Sequence, residues 1–405
     1  MILKSSKSKN CIGLLTNFSG LRLERTNDYY ITLIRLKKLK IELYFINAEY
    51  LSFQKIITKK VNYDKRFKYF EPKNFNEFND FIKKKKILII NNIGRGFNYF
   101  FLLFFLKIKN LHQIRITNLG NIQSDQNEFR VAESNFLFHL KYQFFRTLPR
   151  KIGSLFIFLG LFNKINCRFL SDSRIYKNFQ NTNYLKKKFL FYKKIELVKS
   201  NLYEEKISKR DMSENLIVLL DLYPYYYEIK RWGMLNEKKV KLHYKQLNFL
   251  LDKLAFLYKK EAVVSIHPGY PENFYKNIFP NKKVIKYKTK SLIKKSFIVL
   301  FFDSSAILTA IKLNKKIISI ESDLFKGKRY NSEVYSGHLK NMKIRLDKKY
   351  KFEKISLLRK LNKKVDNYKI FKNKFLGFHK KESGSNEIIK YIKEFFYKKK
   401  INEKS

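Results

Sequence analysis

The sequence predicts an α/β protein built from two parallel-sheet domains. Short apolar runs alternate with helix-length stretches along the chain, and a polar segment without apolar periodicity interrupts them at 199–215. Strands separated by helices of this length form βαβ units and a parallel sheet. Single cores stop growing at about 250–300 residues, so the 405-residue length also favours two domains. We divide the chain at 1–205 and 206–382, with a C-terminal helix and basic tail at 383–405.

The first half contains four apolar runs that end in polar or turn residues. The predicted strands are 11–16, 41–47, 86–91 and 113–118. Helices are predicted after the loop at 17–20, as far as about Lys38, and over 97–107. The segment 148–162 has a basic entry and a very apolar body. It is compatible with a buried core helix, which we predict, and with a helix that docks at a membrane interface.

The second half repeats the alternation more clearly. The predicted strands are 216–220, 262–266, 284–287, 297–302 and 317–320. Over 237–258 the apolar positions step by four and three residues, which places them on one face of a helix. Thr289 is predicted to cap a short helix, and 305–313 is predicted as another helix. Residues 383–386 are predicted to cap a final helix, which we expect to cross back to the first domain.

The composition excludes several classes of protein. The chain has 87 Lys+Arg against 34 Asp+Glu, a formal net charge of +53, yet 45% of its residues are hydrophobic. That apolar content excludes a disordered chain, and two cysteines exclude a disulfide scaffold. The lysines are spread in short runs, with no zinc-finger spacing, basic zipper or RNP-like motif. We therefore expect no nucleic-acid partner and assign most of the charge to a solvated surface, with residual attraction to anionic membrane.

No segment of the sequence is predicted to cross a membrane. The longest apolar runs, 99–106 and 155–162, are far shorter than the ~18–20 residues that span a bilayer. The basic start of the chain is followed by an apolar stretch too short for a signal peptide. We expect a cytoplasmic protein, with peripheral contact at the inner face of the plasma membrane.

Two motifs of the second half follow predicted strands. His267-Pro268 comes after 262–266, and a histidine there can donate to a phosphate or act as an acid. Asp303-Ser304-Ser305 follows the next long strand at the start of a predicted helix, where hydroxyls and amides favour an anion. Each alone is also compatible with a turn histidine or a plain helix cap. Together, on strand ends predicted to be neighbours, they predict a phosphate site.

These residues carry a family resemblance. His267-Pro268, the stretch 287–296, the run 303–306 and the stretch 314–320 resemble the C-terminal half of bacterial GT-B glycosyltransferases of surface-polysaccharide synthesis. The similarity is greatest to the sialyltransferase and polysialyltransferase-like group. It implies a GT-B fold, with two Rossmann-like domains whose parallel sheets face across a cleft. It also implies transfer of a sialic-acid-like or other CMP-activated sugar to a cell-surface glycan.

The resemblance assigns roles to the motif residues. His267 would contact the donor phosphate and assist departure of the leaving group, and Ser304 and Ser305 would bind the same phosphate. The partners it implies are a nucleotide-sugar donor and a glycan or lipid-linked glycan acceptor. The sequence shows no carboxylate or His/Cys cluster with metal-ligand spacing, so we expect no metal and no cofactor.

The general base expected from the resemblance is missing. That group carries an acidic D/E-D/E-G motif in the first domain, whereas the matching position reads Asn118-Leu119-Gly120. Asn118 cannot accept a proton at neutral pH. Either Asp125 or Glu133 substitutes for the lost acid, or the chain has lost activity. The alternative function is a non-catalytic, basic nucleic-acid- or membrane-binding protein on the same fold.

Further polar residues at strand ends complete the set of candidates. The substrate-binding candidates are His267, Pro268, Asp303, Ser304, Ser305, Asp221, Tyr223, Thr289, Asn118, Gly120 and Asn17. The remaining histidines have no partner pattern, so we predict structural roles for them.

Overall fold

The computed structural model contains two compact units. It describes residues 9–16, 41–52, 68–93, 99–117, 148–200, 212–221, 237–267, 270–302, 304–322, 339, 341–346, 354–365 and 367–397. Of these, 9–117, 148–200 and 376–397 belong to the first unit, and 212–375 belongs to the second. Residues 376–382, which the sequence analysis placed in the second domain, pack with the first unit.

The first unit is built on a parallel sheet of seven strands. They are β1 (Lys9–Thr16), β2 (Glu42–Asn47), β3 (Lys68–Phe70), β4 (Lys85–Asn91), β5 (His112–Ile116), β6 (Ile165–Leu170) and β7 (Tyr192–Leu197). Their order is β3-β2-β1-β4-β5-β6-β7. β1 pairs with both β2 and β4, so the strand order reverses at its edge with β4. The central strands are almost wholly apolar because both faces of the sheet are covered.

In the described part of the first unit, five helices lie between these strands along the chain. They are α1 (Phe75–Lys83), α2 (Phe100–Ile108), α3 (Leu148–Phe158), α4 (Ser173–Gln180) and α5 (Tyr184–Lys188). Local side chains set several of their starts: Asn74 accepts a hydrogen bond from the Glu77 amide at 2.9 Å, and Asn183 accepts one from the Lys186 amide at 3.0 Å. α2 and α3 pack on the same face of the sheet, where Leu106 and Ile157 enter one core cluster.

The second unit repeats this plan with six parallel strands. They are β8 (Leu216–Leu220), β9 (Glu261–Ile266), β10 (Lys283–Lys286), β11 (Ser296–Phe301), β12 (Lys316–Glu321) and β13 (Met342–Arg345), in the order β10-β9-β8-β11-β12-β13. Its helices are α6 (Glu237–Tyr258), α7 (Glu272–Ile278), α8 (Thr289–Lys294), α9 (Ile307–Lys312), α10 (Lys354–Val365) and α11 (Tyr368–Phe375). The apolar positions that step by four and three along α6 are all buried, as the periodicity predicts: Val240, Tyr244, Leu247, Leu251, Leu254 and Tyr258.

The last helix, α12 (Gly384–Tyr397), returns to the first unit, as the sequence analysis expected. Its apolar side chains Ile388, Ile392 and Phe396 join the core cluster of the first sheet. The Lys86 ammonium donates to the Phe396 carbonyl at 2.9 Å, where the free carbonyls at the end of a helix favour a cation. The Ser383 hydroxyl accepts from the Asn386 amide at 3.2 Å, which confirms the predicted cap.

Most predicted elements are present with shifts of one to three residues at their ends. The shift that matters for function is that of α9, which begins at Ile307 rather than at residue 305. Ser304 and Ser305 therefore lie in the turn before the helix, where their carbonyls accept from Ile307 and Leu308 at 3.2 and 3.1 Å. The predicted helix that ends near Lys38 lies outside the described residues.

Candidate functional site

The carboxyl edge of the second sheet brings the main motif residues together. β8 lies between β9 and β11, with Leu220 opposite both Ser265 and Phe301. The sequence analysis placed the His267 and serine motifs on neighbouring strands. The structure corrects this: β8, the first strand of the unit in sequence, lies between β9 and β11 and pairs with both. Strand order reverses between β8 and β11, and open α/β sheets bind ligands at this reversal.

Asp221 follows β8 directly and lies at the reversal point. It is buried, and its carboxylate accepts a hydrogen bond from the Tyr244 hydroxyl of α6 at 2.8 Å. Burial, together with the Asp221 charge, raises the pKa of Tyr244 well above its usual value, so the phenol stays protonated and donates. This pair ties α6 to the edge of the sheet and leaves a carboxylate in the middle of the candidate site.

His267 follows β9 and is exposed at the same edge. Its carbonyl accepts from the Tyr270 amide at 2.9 Å, which closes a turn, and its ring lies 5.2 Å from the Tyr270 ring. Because β9 and β11 are two strand spacings apart, about 10 Å separates the two motifs. A phosphate or diphosphate group with its hydrogen bonds can bridge such a distance.

Ser304 and Ser305 form the turn between β11 and α9. The Ser304 hydroxyl accepts from the Ala306 amide at 3.3 Å, and the Ser305 side chain is exposed. Below this turn, α9 is almost completely buried from Ile307 to Ile311. The exposed hydroxyl of Ser305 is thus held on a rigid element, as a ligand-binding group requires.

Thr289 does not cap its helix as predicted. Lys288 occupies the cap position and Thr289 is the first helical residue of α8. Its hydroxyl instead shares a 2.8 Å hydrogen bond with the Ser265 hydroxyl. Ser265 is buried at the end of β9, and a hydroxyl partner satisfies it there. Thr289 therefore fixes the strand that leads into His267.

Sequence reasoning missed a polar group at the carboxyl edge of the first sheet. Asn47, buried at the end of β2, donates from its side-chain nitrogen to Glu71 Oε1 at 2.6 Å, and the Tyr69 hydroxyl donates to the same oxygen at 3.1 Å. Glu71 is half-buried and follows β3. The signal was available: the sequence places Asn47 and Glu71 directly after apolar runs, but β3 is only three residues long and was not recognised.

Asp172, a second carboxylate at this edge, already has a structural role. It accepts from the Arg174 amide at 2.9 Å and pairs with the Arg174 guanidinium through both oxygens, at 3.2 and 2.9 Å. These bonds start α4 and engage both carboxylate oxygens. In contrast, the bonds to Glu71 reach one of its oxygens.

Several candidates lie outside the described residues. They are Asp125, Glu133, Asn118, Gly120, Asn17, Pro268, Asp303 and Tyr223. Two of the remaining histidines have structural contacts. His243 is buried and shares a 2.9 Å hydrogen bond with Ser322, and burial lowers its pKa to about 3, so it stays neutral. His112 shares a 3.0 Å hydrogen bond with Tyr391 of α12.

The described part of the chain contains neither a cluster of metal-ligating side chains nor a helix that could span a membrane. No group of three or more His, Cys, Asp or Glu side chains is arranged there to hold a metal ion. Likewise, none of the helices in the described segments combines the length and the apolar character that a bilayer crossing requires.

Solved structures with the same architecture span nearly the whole chain. The wall teichoic acid polymerase TagF, in a structure soaked with CDPG, is 10% identical with a TM-score of 0.51, over 96% of this chain and 89% of that one. Arabidopsis thaliana UGT89C1 is 10% identical with a TM-score of 0.50, over 96% and 99% of the two chains. The fold is GT-B. This confirms the predicted fold class, two Rossmann-like domains with parallel sheets.

A third GT-B structure is less similar. WaaG, a glycosyltransferase involved in lipopolysaccharide biosynthesis, is 11% identical with a TM-score of 0.46, over 96% of this chain and 99% of that one. No family model matches this sequence, and no curated protein matches it either.

Proposed function

We propose that this GT-B protein is a glycosyltransferase that moves a sugar from a nucleotide-sugar donor to a cell-surface glycan acceptor. The observation that supports the proposal is that Asp221, His267 and Ser305 follow three adjacent strands, β8, β9 and β11, at the sheet edge where the strand order reverses. The second unit would bind the donor there. The first unit would bind the acceptor, a glycan or a lipid-linked glycan.

The proposed reaction needs hydrogen-bond donors at the leaving phosphate. A bond forms between the acceptor oxygen and the anomeric carbon, and the bond from that carbon to the donor phosphate oxygen breaks. The acceptor proton passes to a base, and the nucleotide leaves with the electron pair. His267, Ser304 and Ser305 would stabilise the charge that develops on the phosphate. We propose that these groups act without a metal or cofactor.

The finer assignments rest on the motif resemblance. His267-Pro268 and Asp303-Ser304-Ser305 support a CMP-activated donor, with a sialic-acid-like sugar as the first candidate. Tyr223 and Asn17 stay proposed as substrate-binding residues. We place the enzyme in a bacterial cytoplasm, at the inner face of the plasma membrane, in lipopolysaccharide or capsule synthesis.

Three carboxylates are candidates for the base. Asp125 and Glu133 follow the position where the expected acid is missing. Glu71 is the third, and its geometry supports it: both of its hydrogen bonds from Asn47 and Tyr69 in the described part of the chain reach Oε1, so Oε2 is the oxygen that we propose accepts the proton.

The donor site is tested by a thermal-shift panel with CMP, CDP, UDP, GDP and CDPG. We expect a cytidine nucleotide to raise the unfolding midpoint. At a hundredfold excess over Kd, binding should stabilise the folded protein by about 2.7 kcal/mol. His267→Ala and Ser305→Ala should weaken that shift, whereas His379→Ala, at an exposed histidine of the first unit, should not. If none of the five compounds shifts the midpoint at millimolar concentration, the donor site is wrong.

The base is tested by turnover with Glu71→Gln, Asp125→Asn and Glu133→Gln. Removing the base is expected to lower kcat by about 10²–10⁴-fold, the usual contribution of general base catalysis. The nucleotide-induced thermal shift should be unchanged in each variant, because the base contacts the acceptor. Asp80→Asn, at an exposed residue of α1, is the matched control. Unchanged turnover in all three variants would remove these carboxylates as candidates.

A further inference from the structure

Three helices of the first unit expose large apolar side chains to solvent. They come from α2, α3 and α5 and from the residues directly after α3 and α5. We call them the apolar–basic face: Phe101, Phe104, Ile108, Leu148, Leu155, Phe158, Leu159, Tyr184, Leu185 and Phe189. Their exposed fractions run from 36% at Phe104 to 74% at Tyr184. Single exposed apolar residues are ordinary, but a contiguous patch marks an interaction site.

Ring contacts show that the face is continuous. Phe158 stacks on Phe189 with centroids 4.4 Å apart and planes 4° from parallel, which joins α3 to α5. Phe100 of α2 contacts Phe156 of α3 at 5.0 Å and stacks with Phe104 at 6.4 Å, which joins α2 to α3. The three helices therefore present their outer side chains as one surface.

The helix α3 shows how the sequence produces this surface. Leu148, Leu155 and Leu159 recur at spacings of seven and four residues, so they lie on the outer side. Ile157 points the other way, into the core. The sequence left a core helix and an interfacial helix open for this segment, and each describes one side of α3.

The charge of the same segments has a single sign. Residues 99–111, 148–164 and 181–191 contain two, three and three Lys or Arg residues, eight in all, and not one Asp or Glu. Lys151, Lys186 and Lys188 are exposed beside the apolar side chains. In the Lys188 case the ammonium lies 5.0 Å from the Tyr184 ring.

We propose that the apolar–basic face docks on an anionic lipid bilayer. Apolar side chains beside lysines, without acids, are the combination that binds the boundary of an anionic membrane. A second copy of this chain fits the face poorly, since Lys151, Lys186 and Lys188 of one copy would meet the same lysines of the other, with no Asp or Glu in these segments to pair with them. The proposal does not depend on the donor site, because every residue of the face lies in the first unit.

The test must separate docking from the general attraction of a +53 protein to anionic vesicles. Vesicles of phosphatidylcholine, with and without phosphatidylglycerol, are sedimented with the full chain and with the triple variant Leu155→Ser, Phe158→Ser, Leu159→Ser. This variant keeps every charge. We expect its partition onto the anionic vesicles to fall at least about tenfold, because apolar burial supplies much of the binding energy.

The matched control is a second exposed apolar triple on α6. Leu242→Ser, Phe249→Ser and Phe256→Ser remove side chains that are 54%, 68% and 88% exposed. We expect this control to bind vesicles as the full chain does. Equal losses in both triples would overturn the proposal, because binding would then follow overall hydrophobicity.

Insertion is tested without weakening the face. In a Trp232→Phe background, Phe158→Trp places the single tryptophan on the face, and Phe256→Trp places it on α6. Brominated lipid should quench the first tryptophan and leave the second unquenched. Failure to quench at 158 would show that the face does not enter the bilayer and would overturn the proposal. A dimer in solution that Leu159→Ser converts to monomer would show that the face binds a second copy of the chain instead.

Discussion

At the residue scale, the hydrogen bond from Tyr244 to Asp221 sets the geometry of the candidate donor site. Tyr244→Phe removes the donor to a buried carboxylate, so we expect the free energy of unfolding to fall by about 1.5–3 kcal/mol. The folded pKa of Tyr244 is raised, so its contribution is complete below the unfolded pKa of about 10 and is lost above it. Urea unfolding between neutral pH and pH 10 should therefore show a constant difference.

A double-mutant cycle provides the control for this bond. Asp221→Asn keeps an acceptor oxygen but removes the charge, so Tyr244→Phe should cost less in that background. An equal cost in both backgrounds would show that the phenol stabilises the fold without acting through the carboxylate.

At the element scale, the return of α12 to the first unit depends on one glycine. Gly377 has φ of +59°, and a Cβ there would lie 2.5 Å from the Val198 carbonyl oxygen. Beside it, the Ser200 amide donates to the Leu376 carbonyl at 2.9 Å. Gly377→Ala would therefore combine backbone strain with a clash against backbone, and we expect a loss of more than about 2 kcal/mol.

Gly160 is the matched glycine. Its φ is +72°, and no described atom lies within 4 Å of an added Cβ. Gly160→Ala should lose only the strain, about 1–2 kcal/mol in urea unfolding. If the two variants lose equal stability, the contact with Val198 does not hold the C-terminal segment in place.

The sequence predicted helices and strands where their apolar pattern is strong, but it did not predict which strands pair with each other. Two local signals are the three-and-four spacing of apolar residues along α6 and the apolar run of β8. Both elements have their predicted bounds. Strand order depends on pairing between segments that are far apart in sequence, and local patterns do not indicate it. The position of β8 between β9 and β11 was therefore not predicted. The local sequence around Thr289 likewise predicted a helix cap, whereas its hydroxyl bonds to Ser265, on a strand 24 residues earlier.

At the scale of the whole molecule, the charge of +53 predicts that salt stabilises the fold. Like charges this numerous repel each other most in the compact state. Opposing ion pairs exist, such as Lys68 with Glu42 at 2.8 Å, which helps lower the pKa of Glu42 to about 2. Among the described residues, most ion pairs have at least one well exposed side chain, so each contributes little.

Screening should therefore remove more repulsion than attraction. Between about 0.01 M and about 0.15 M salt the Debye length falls from about 30 Å to about 8 Å. We expect the thermal midpoint to rise over that range by several degrees, about 2–4 °C for each 1 kcal/mol gained by a domain of this size. Calorimetry in NaCl and in KCl should agree, because the effect is one of ionic strength. A midpoint that falls with salt would show that the ion pairs outweigh the repulsion of the lysines.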